Sequence, residues 1–159
     1  MSQDLGALYQ EVILDHNRSP RNWGELEDAS RRVNGHNPLC GDQLTLSIRF
    51  DGDVISEVKF TGEGCAISKA SASMMTQAIK GKTRAEAEEL FERFHALVTG
   101  QGADAGKPRS VAPDPALGRL KVFEGVARFP TRVKCASLAW HALRAAIEGS
   151  STEVSVDDA

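Results

Sequence analysis

Leu44-Thr45-Leu46-Ser47-Ile48-Arg49-Phe50-Asp51-Gly52-Asp53-Val54-Ile55-Ser56-Glu57-Val58-Lys59-Phe60 is the most legible stretch of this chain. Leu44, Leu46, Ile48 and Phe50 alternate with polar residues, Asp51-Gly52 supplies a tight turn, and Val54, Val58 and Phe60 resume the alternation. Alternation on both sides of a turn predicts a β-hairpin with one buried face.

Helical periodicity surrounds the hairpin. Leu5, Leu8, Tyr9, Val12 and Ile13 follow Asp4, an N-cap residue type, and predict an amphipathic helix over 5–17 that ends at Pro20. From Asn17 to Gly41 turn signals replace periodicity (Ser19-Pro20-Arg21-Asn22, Asn34-Gly35, Asn37-Pro38), which predicts a long loop of the kind that often carries function. Beyond the hairpin, Ile67, Ala70, Ser71, Met74, Met75, Ala78 and Ile79 predict a helix over 67–80 that stops at Gly81. Thr83 and Glu86 form a capping box ahead of the stripe Ala87, Leu90, Phe91, Phe94, Leu97 and Val98, which Gly100 closes. Residues 100–113, rich in glycine and proline, read as a surface loop, and a short helix is expected after Asp114-Pro115. Val133, Ala136, Trp140, Leu143 and Ile147 give the last helix its apolar stripe, ending near Gly149. Met74, Met75, Phe91 and Phe94 lie on these stripes and read as core.

The pattern belongs to the α+β class: a small antiparallel sheet of about three strands packed against several helices. The expectation is one domain over 1–149 and a flexible acidic tail over 150–159. With 159 residues, 41% hydrophobic and 26% charged, the chain is suited to one folded core rather than to disorder. Nineteen Lys and Arg against 22 Asp and Glu give a net charge of -3 without a basic run, so nucleic acid is not an expected partner. No apolar stretch approaches the ~20 residues that span a bilayer. The first ten residues also lack a charged segment followed by an apolar block, so no membrane association is expected and the location read is cytoplasmic.

Three cysteines, Cys40, Cys65 and Cys135, are an odd number in such a chain, which argues for reduced thiols. Their spacings match no zinc-finger pattern, and a free cysteine is often just a small buried hydrophobe. Each of these, however, falls at an element boundary. Cys40 ends the long loop within Asn37-Pro38-Leu39-Cys40-Gly41-Asp42. Cys65 follows Gly62-Glu63-Gly64 ahead of a helix, and Cys135 is placed in the first turn of the last helix after Arg132 and Lys134. Helix N-termini and nearby cations favour thiolates, which bind metals or attack sulfur. Three thiolates with Asp42 would complete a tetrahedral shell for Zn²⁺, although Asp42 also suits an ordinary turn and His36 could substitute as a ligand. His16, His95 and His141 are read as surface or half-buried residues. Arg132 and Lys134 are either solvated cations at a helix start or a docking patch for an acidic partner surface.

Taken together, the segments Leu8-Tyr9-Gln10-Glu11-Val12-Ile13-Leu14-Asp15-His16, Pro20-Arg21-Asn22, Asn37-Pro38-Leu39-Cys40-Gly41-Asp42, Gly62-Glu63-Gly64-Cys65-Ala66-Ile67-Ser68 and Lys134-Cys135-Ala136 resemble the IscU/NifU-like proteins of iron-sulfur cluster assembly. The chain looks most like the SufU-type branch. Lys134 stands where IscU-type scaffolds usually carry His, and residues 100–113 correspond to an insertion of that branch. The resemblance implies a Zn²⁺ site of Cys40, Asp42, Cys65 and Cys135. It also implies a zinc-dependent sulfurtransferase role, in which Cys40 accepts persulfide sulfur from a SufS-like pyridoxal-phosphate cysteine desulfurase and passes it to downstream cluster-assembly machinery. Chemically, Zn²⁺ keeps its ligating thiols deprotonated without redox chemistry of its own. Two alternatives stay open: a scaffold on which iron or a [2Fe-2S] cluster is transiently held by the same residues, and a non-catalytic interaction domain that zinc merely stabilises.

Overall fold

The computed structural model describes residues 2–38, 41–99, 118, 120, 122–123, 126, 129–149 and 152–155. The elements are α1 (Ser2–Arg18), β1 (Arg31–Asn37), β2 (Asp42–Asp51), β3 (Val54–Glu63), α2 (Ala66–Ile79), α3 (Arg84–Thr99), α4 (Pro130–Glu148) and β4 (Glu153–Ser155). They form a four-stranded sheet in the order β3-β2-β1-β4, antiparallel except for the parallel β1–β4 pair.

The hairpin forms at β2 and β3, with Leu46 opposite Phe60 and Ile48 opposite Val58, all buried. Its far end departs from simple alternation. Ile55, not Val54, enters the core, and Val54 is exposed. Arg49 pairs with Glu57 but Phe50 pairs with Ile55, so Ser56 is an extra residue in β3. A bulge of this kind switches which residues face inward. Ser56 Oγ donates to the Arg49 carbonyl at 3.1 Å, tying the irregularity down.

Two of the four strands lie outside the hairpin, against an expected sheet of about three. β1 occupies part of the predicted loop 17–41, with only Val33, Gly35 and Asn37 turned inward. Gly35 lets α4 pack close: a Cβ would come 3.1 Å from Leu138 Cδ1, tighter than an ordinary contact. The residue that reads as a turn signal is therefore a contact point between helix and sheet. β4 lies within the predicted flexible tail; its backbone pairs Glu153 with Asn34 and Ser155 with His36. Three residues carry too little pattern to announce a strand.

The helices follow their apolar stripes. Thr83 and Glu86 make both capping-box hydrogen bonds, at 2.9 and 3.1 Å. Met74, Met75, Phe91 and Phe94 are buried in the core, with the Phe94 ring stacked on Trp140 at 4.5 Å between centroids. Buried polar groups fasten α2 to its neighbours. Ser71 Oγ donates to the Ala136 carbonyl of α4 at 2.6 Å and accepts from Trp140 Nε1. Ser73 Oγ accepts the Arg21 N–H at 2.8 Å and meets His16 Nδ1 at 2.7 Å. His16 is thus buried and bonded rather than a surface residue. Gly149, at φ 65°, caps α4 in the left-handed region. Gly100, the predicted loop 100–113 and the start of the short helix after Pro115 lie outside the described residues, whereas Leu120, Phe123 and Val126 are core. No helix among the described residues is long and apolar enough to cross a membrane.

Candidate metal centre

The ends of three elements meet on the helix-covered side of the sheet. Asp42 opens β2, Cys65 is the N-cap of α2, and Cys135 lies on α4. One ligand atom from each falls within 4.8 Å of the others. Asp42 is fully buried, so its charge needs partners. The Cys65 backbone N–H supplies one, donating to Oδ1 at 2.9 Å, while Oδ2 lies 3.8 Å from Cys65 Sγ. Gly64 makes this approach possible. Its φ is 152°, and a Cβ there would overlap the Asp42 carboxylate.

Cys65 is half-buried, and its thiol is drawn down from 9.0 to about 7. A hydrogen bond from Cys135 is the largest cause; burial opposes it, the N–H groups of Ser68 and Ile67 assist, and the Asp42 charge opposes. Sγ accepts the Ser68 N–H at 3.4 Å, as a side chain capping a helix does. Cys135 is buried, and at the sixth residue of α4 it stands in the second turn rather than the expected first. Neither cysteine is part of a disulfide.

Sequence reasoning did not single out Asn37. It is the cross-strand partner of Asp42, equally buried and on the same face, and its Nδ2 lies 3.8 Å from Cys135 Sγ. Its main-chain carbonyl accepts the Gly41 N–H at 2.8 Å. Asn37 stands inside a quoted cysteine segment, but next to Pro38 it reads as turn chemistry. His36, considered as a substitute ligand, is exposed on the opposite face of β1 and does not join the cluster. Cys40 itself lies outside the described residues. Arg132 is exposed at the start of α4 with its guanidinium 4.5 Å from the centre of the Phe129 ring, and Lys134 is half-buried.

A carboxylate and two thiols, desolvated and convergent, fit a borderline-soft divalent ion such as Zn²⁺; ions that prefer an all-oxygen shell fit poorly. Asp42, Cys65 and Cys135 would hold it.

Residues 8–136 match the family described as NifU-like N terminal domain. The chain is 45% identical over 140 residues to the zinc-dependent sulfurtransferase SufU of Bacillus subtilis, covering 88% of this chain and 89% of that one. It is 42% identical over 154 residues to the iron-sulfur cluster assembly scaffold protein IscU of Streptococcus pyogenes, covering 97% and 91%. A solved structure, a candidate iron-sulfur cluster assembly scaffold for the SUF system from Fervidobacterium islandicum, superposes with TM-score 0.77 at 38% identity, covering 89% of this chain and 97% of that one.

Proposed function

Because the chain belongs to the NifU-like N-terminal domain family, we propose that it acts in iron-sulfur cluster biogenesis as a zinc-dependent sulfurtransferase whose acceptor is Cys40. The observation that carries this reading is the convergence of Asp42, Cys65 and Cys135 at one buried point, with Cys40 two residues before Asp42 in the chain. Cys40 is the fourth ligand in this reading. Bound by these residues, Zn²⁺ keeps the thiols ionised and adds no redox chemistry of its own.

Transfer itself is a displacement. The Cys40 thiolate attacks the outer sulfur of a persulfide held by a pyridoxal-phosphate cysteine desulfurase; the partner's S–S bond breaks, its cysteine leaves as thiolate, and Cys40 carries the persulfide with no net oxidation. Arg132 and Lys134, at the start of the helix that carries Cys135, dock an acidic rim of that partner. The recipient is the downstream cluster-assembly machinery, and reduced thiols suit the cytoplasm.

The test is cysteine turnover by the desulfurase with zinc-loaded protein, metal-free protein and Cys40→Ala, iron excluded. Stimulation that needs both zinc and Cys40 supports the sulfurtransferase reading. A second reading is supported by the Streptococcus relative named a scaffold: the same residues hold a [2Fe-2S] cluster during assembly. Absence of stimulation, with iron and sulfide giving a coloured protein that retains its cluster, selects that reading.

A further inference from the structure

We infer that Asn37 is a positioning residue of the metal centre. Its side-chain amide N–H is directed at the Cys135 sulfur. The inference rests on the metal-site part of the proposed function and does not depend on the sulfur-transfer part.

Asn37 is completely buried, and a buried primary amide must place its donors. One is placed on sulfur: Nδ2 lies 3.8 Å from Cys135 Sγ. Strand register brings it there. Asn37 and Asp42 are paired residues at the mouth of the β1–β2 connection, so both side chains point to the face that Cys135 approaches from α4. The main-chain carbonyl of the same residue accepts the Gly41 N–H at 2.8 Å, with Gly41 at φ 75°. The side chain of Asn37 therefore meets the Cys135 sulfur from the sheet side of the cluster.

An N–H pointed at a thiolate withdraws charge from it and sets the direction of its lone pairs, as the outer partners of metal ligands generally do. Leucine has the same number of side-chain heavy atoms as asparagine, branched at the same position, and no donor. Serine is smaller but keeps an O–H. The experiment compares Asn37→Leu and Asn37→Ser with the parent in two readouts: the thiolate-to-metal charge-transfer band of the cobalt(II)-substituted proteins, and zinc affinity by competition with a chelator.

The expected result is a band moved to longer wavelength in Asn37→Leu, because an undamped sulfur is easier to oxidise, and zinc bound about 10–100-fold more weakly. Asn37→Ser should lie between Asn37→Leu and the parent. Unchanged band and affinity in Asn37→Leu overturn the inference. So does equal weakening in both variants with the band unmoved, since that is the behaviour of a residue that only fills space. If Asn37→Leu does not fold, the band of Asn37→Ser against the parent decides: a shift to longer wavelength upholds the donor role and an unmoved band overturns it. Loss of desulfurase stimulation with these readouts as expected counts against sulfur transfer alone.

Discussion

Asp42 and Cys65 are joined by a 2.9 Å hydrogen bond from the Cys65 N–H to Asp42 Oδ1, across 23 residues of sequence. One carboxylate thereby orients the start of α2 with one oxygen and offers the other toward the thiols. Asp42→Asn keeps the shape and the acceptor but removes the charge. Zinc affinity should fall by at least about 100-fold, because a lost ligand costs more than a lost outer partner. The metal-free protein should melt no lower than the parent, since a buried charge has been removed. Chelator competition and thermal denaturation check the two halves separately.

The Cys65 thiol sets a pH dependence in the metal-free protein. Its folded value, about 7, lies below the ordinary 9.0. The stability it contributes is therefore fully present above pH 9 and is lost as pH falls through about 7. Alkylation of Cys65, followed by mass spectrometry, should rise with a midpoint near pH 7. In Cys65→Ser the corresponding loss of stability between pH 9 and pH 6 should be absent from urea titrations.

Gly64→Ala tests the cradle around Asp42. The new Cβ meets the carboxylate and the backbone leaves a region that side chains rarely adopt. A stability loss of about 1–3 kcal/mol is expected from the strained backbone. Zinc affinity should fall with it, because the carboxylate must move. Gly52→Ala, also at positive φ but with open space around it, serves as the control and should keep zinc affinity unchanged.

Charge reversal at Arg132 tests docking. The side chain is exposed and rests over Phe129, so Arg132→Glu should leave the fold intact. It should weaken association with the desulfurase several-fold at low salt and little at high salt, because exposed charges are screened. Equal weakening at both salt concentrations in a binding titration sinks the electrostatic reading.

The hairpin was legible because Leu44, Leu46 and Ile48 alternate cleanly on a half-buried surface. The Val54 assignment failed because a bulge at Ser56 leaves no mark in composition. β1 was hidden for a different reason. Its inward positions hold Val33, Gly35 and Asn37, of which only one is a large apolar residue: the glycine sits under Leu138 and the asparagine faces Cys135. At the site, the glycines and aspartate flanking the thiols were readable as chemistry. That Asp42, Cys65 and Cys135 share a point depends on contacts far apart in the chain, which no local pattern encodes.

The short parallel pairing of β4 with β1 also governs how this protein can be handled. An unpaired β1 would offer a row of main-chain donors and acceptors to any extended strand nearby, and self-association through bare sheet margins is a common route to aggregation. Glu153 and its neighbours occupy that margin, with an acidic side chain that discourages a second copy from adding on. Shortening the chain at Gly149 should therefore yield a protein that binds zinc as before but forms soluble multimers as its concentration rises.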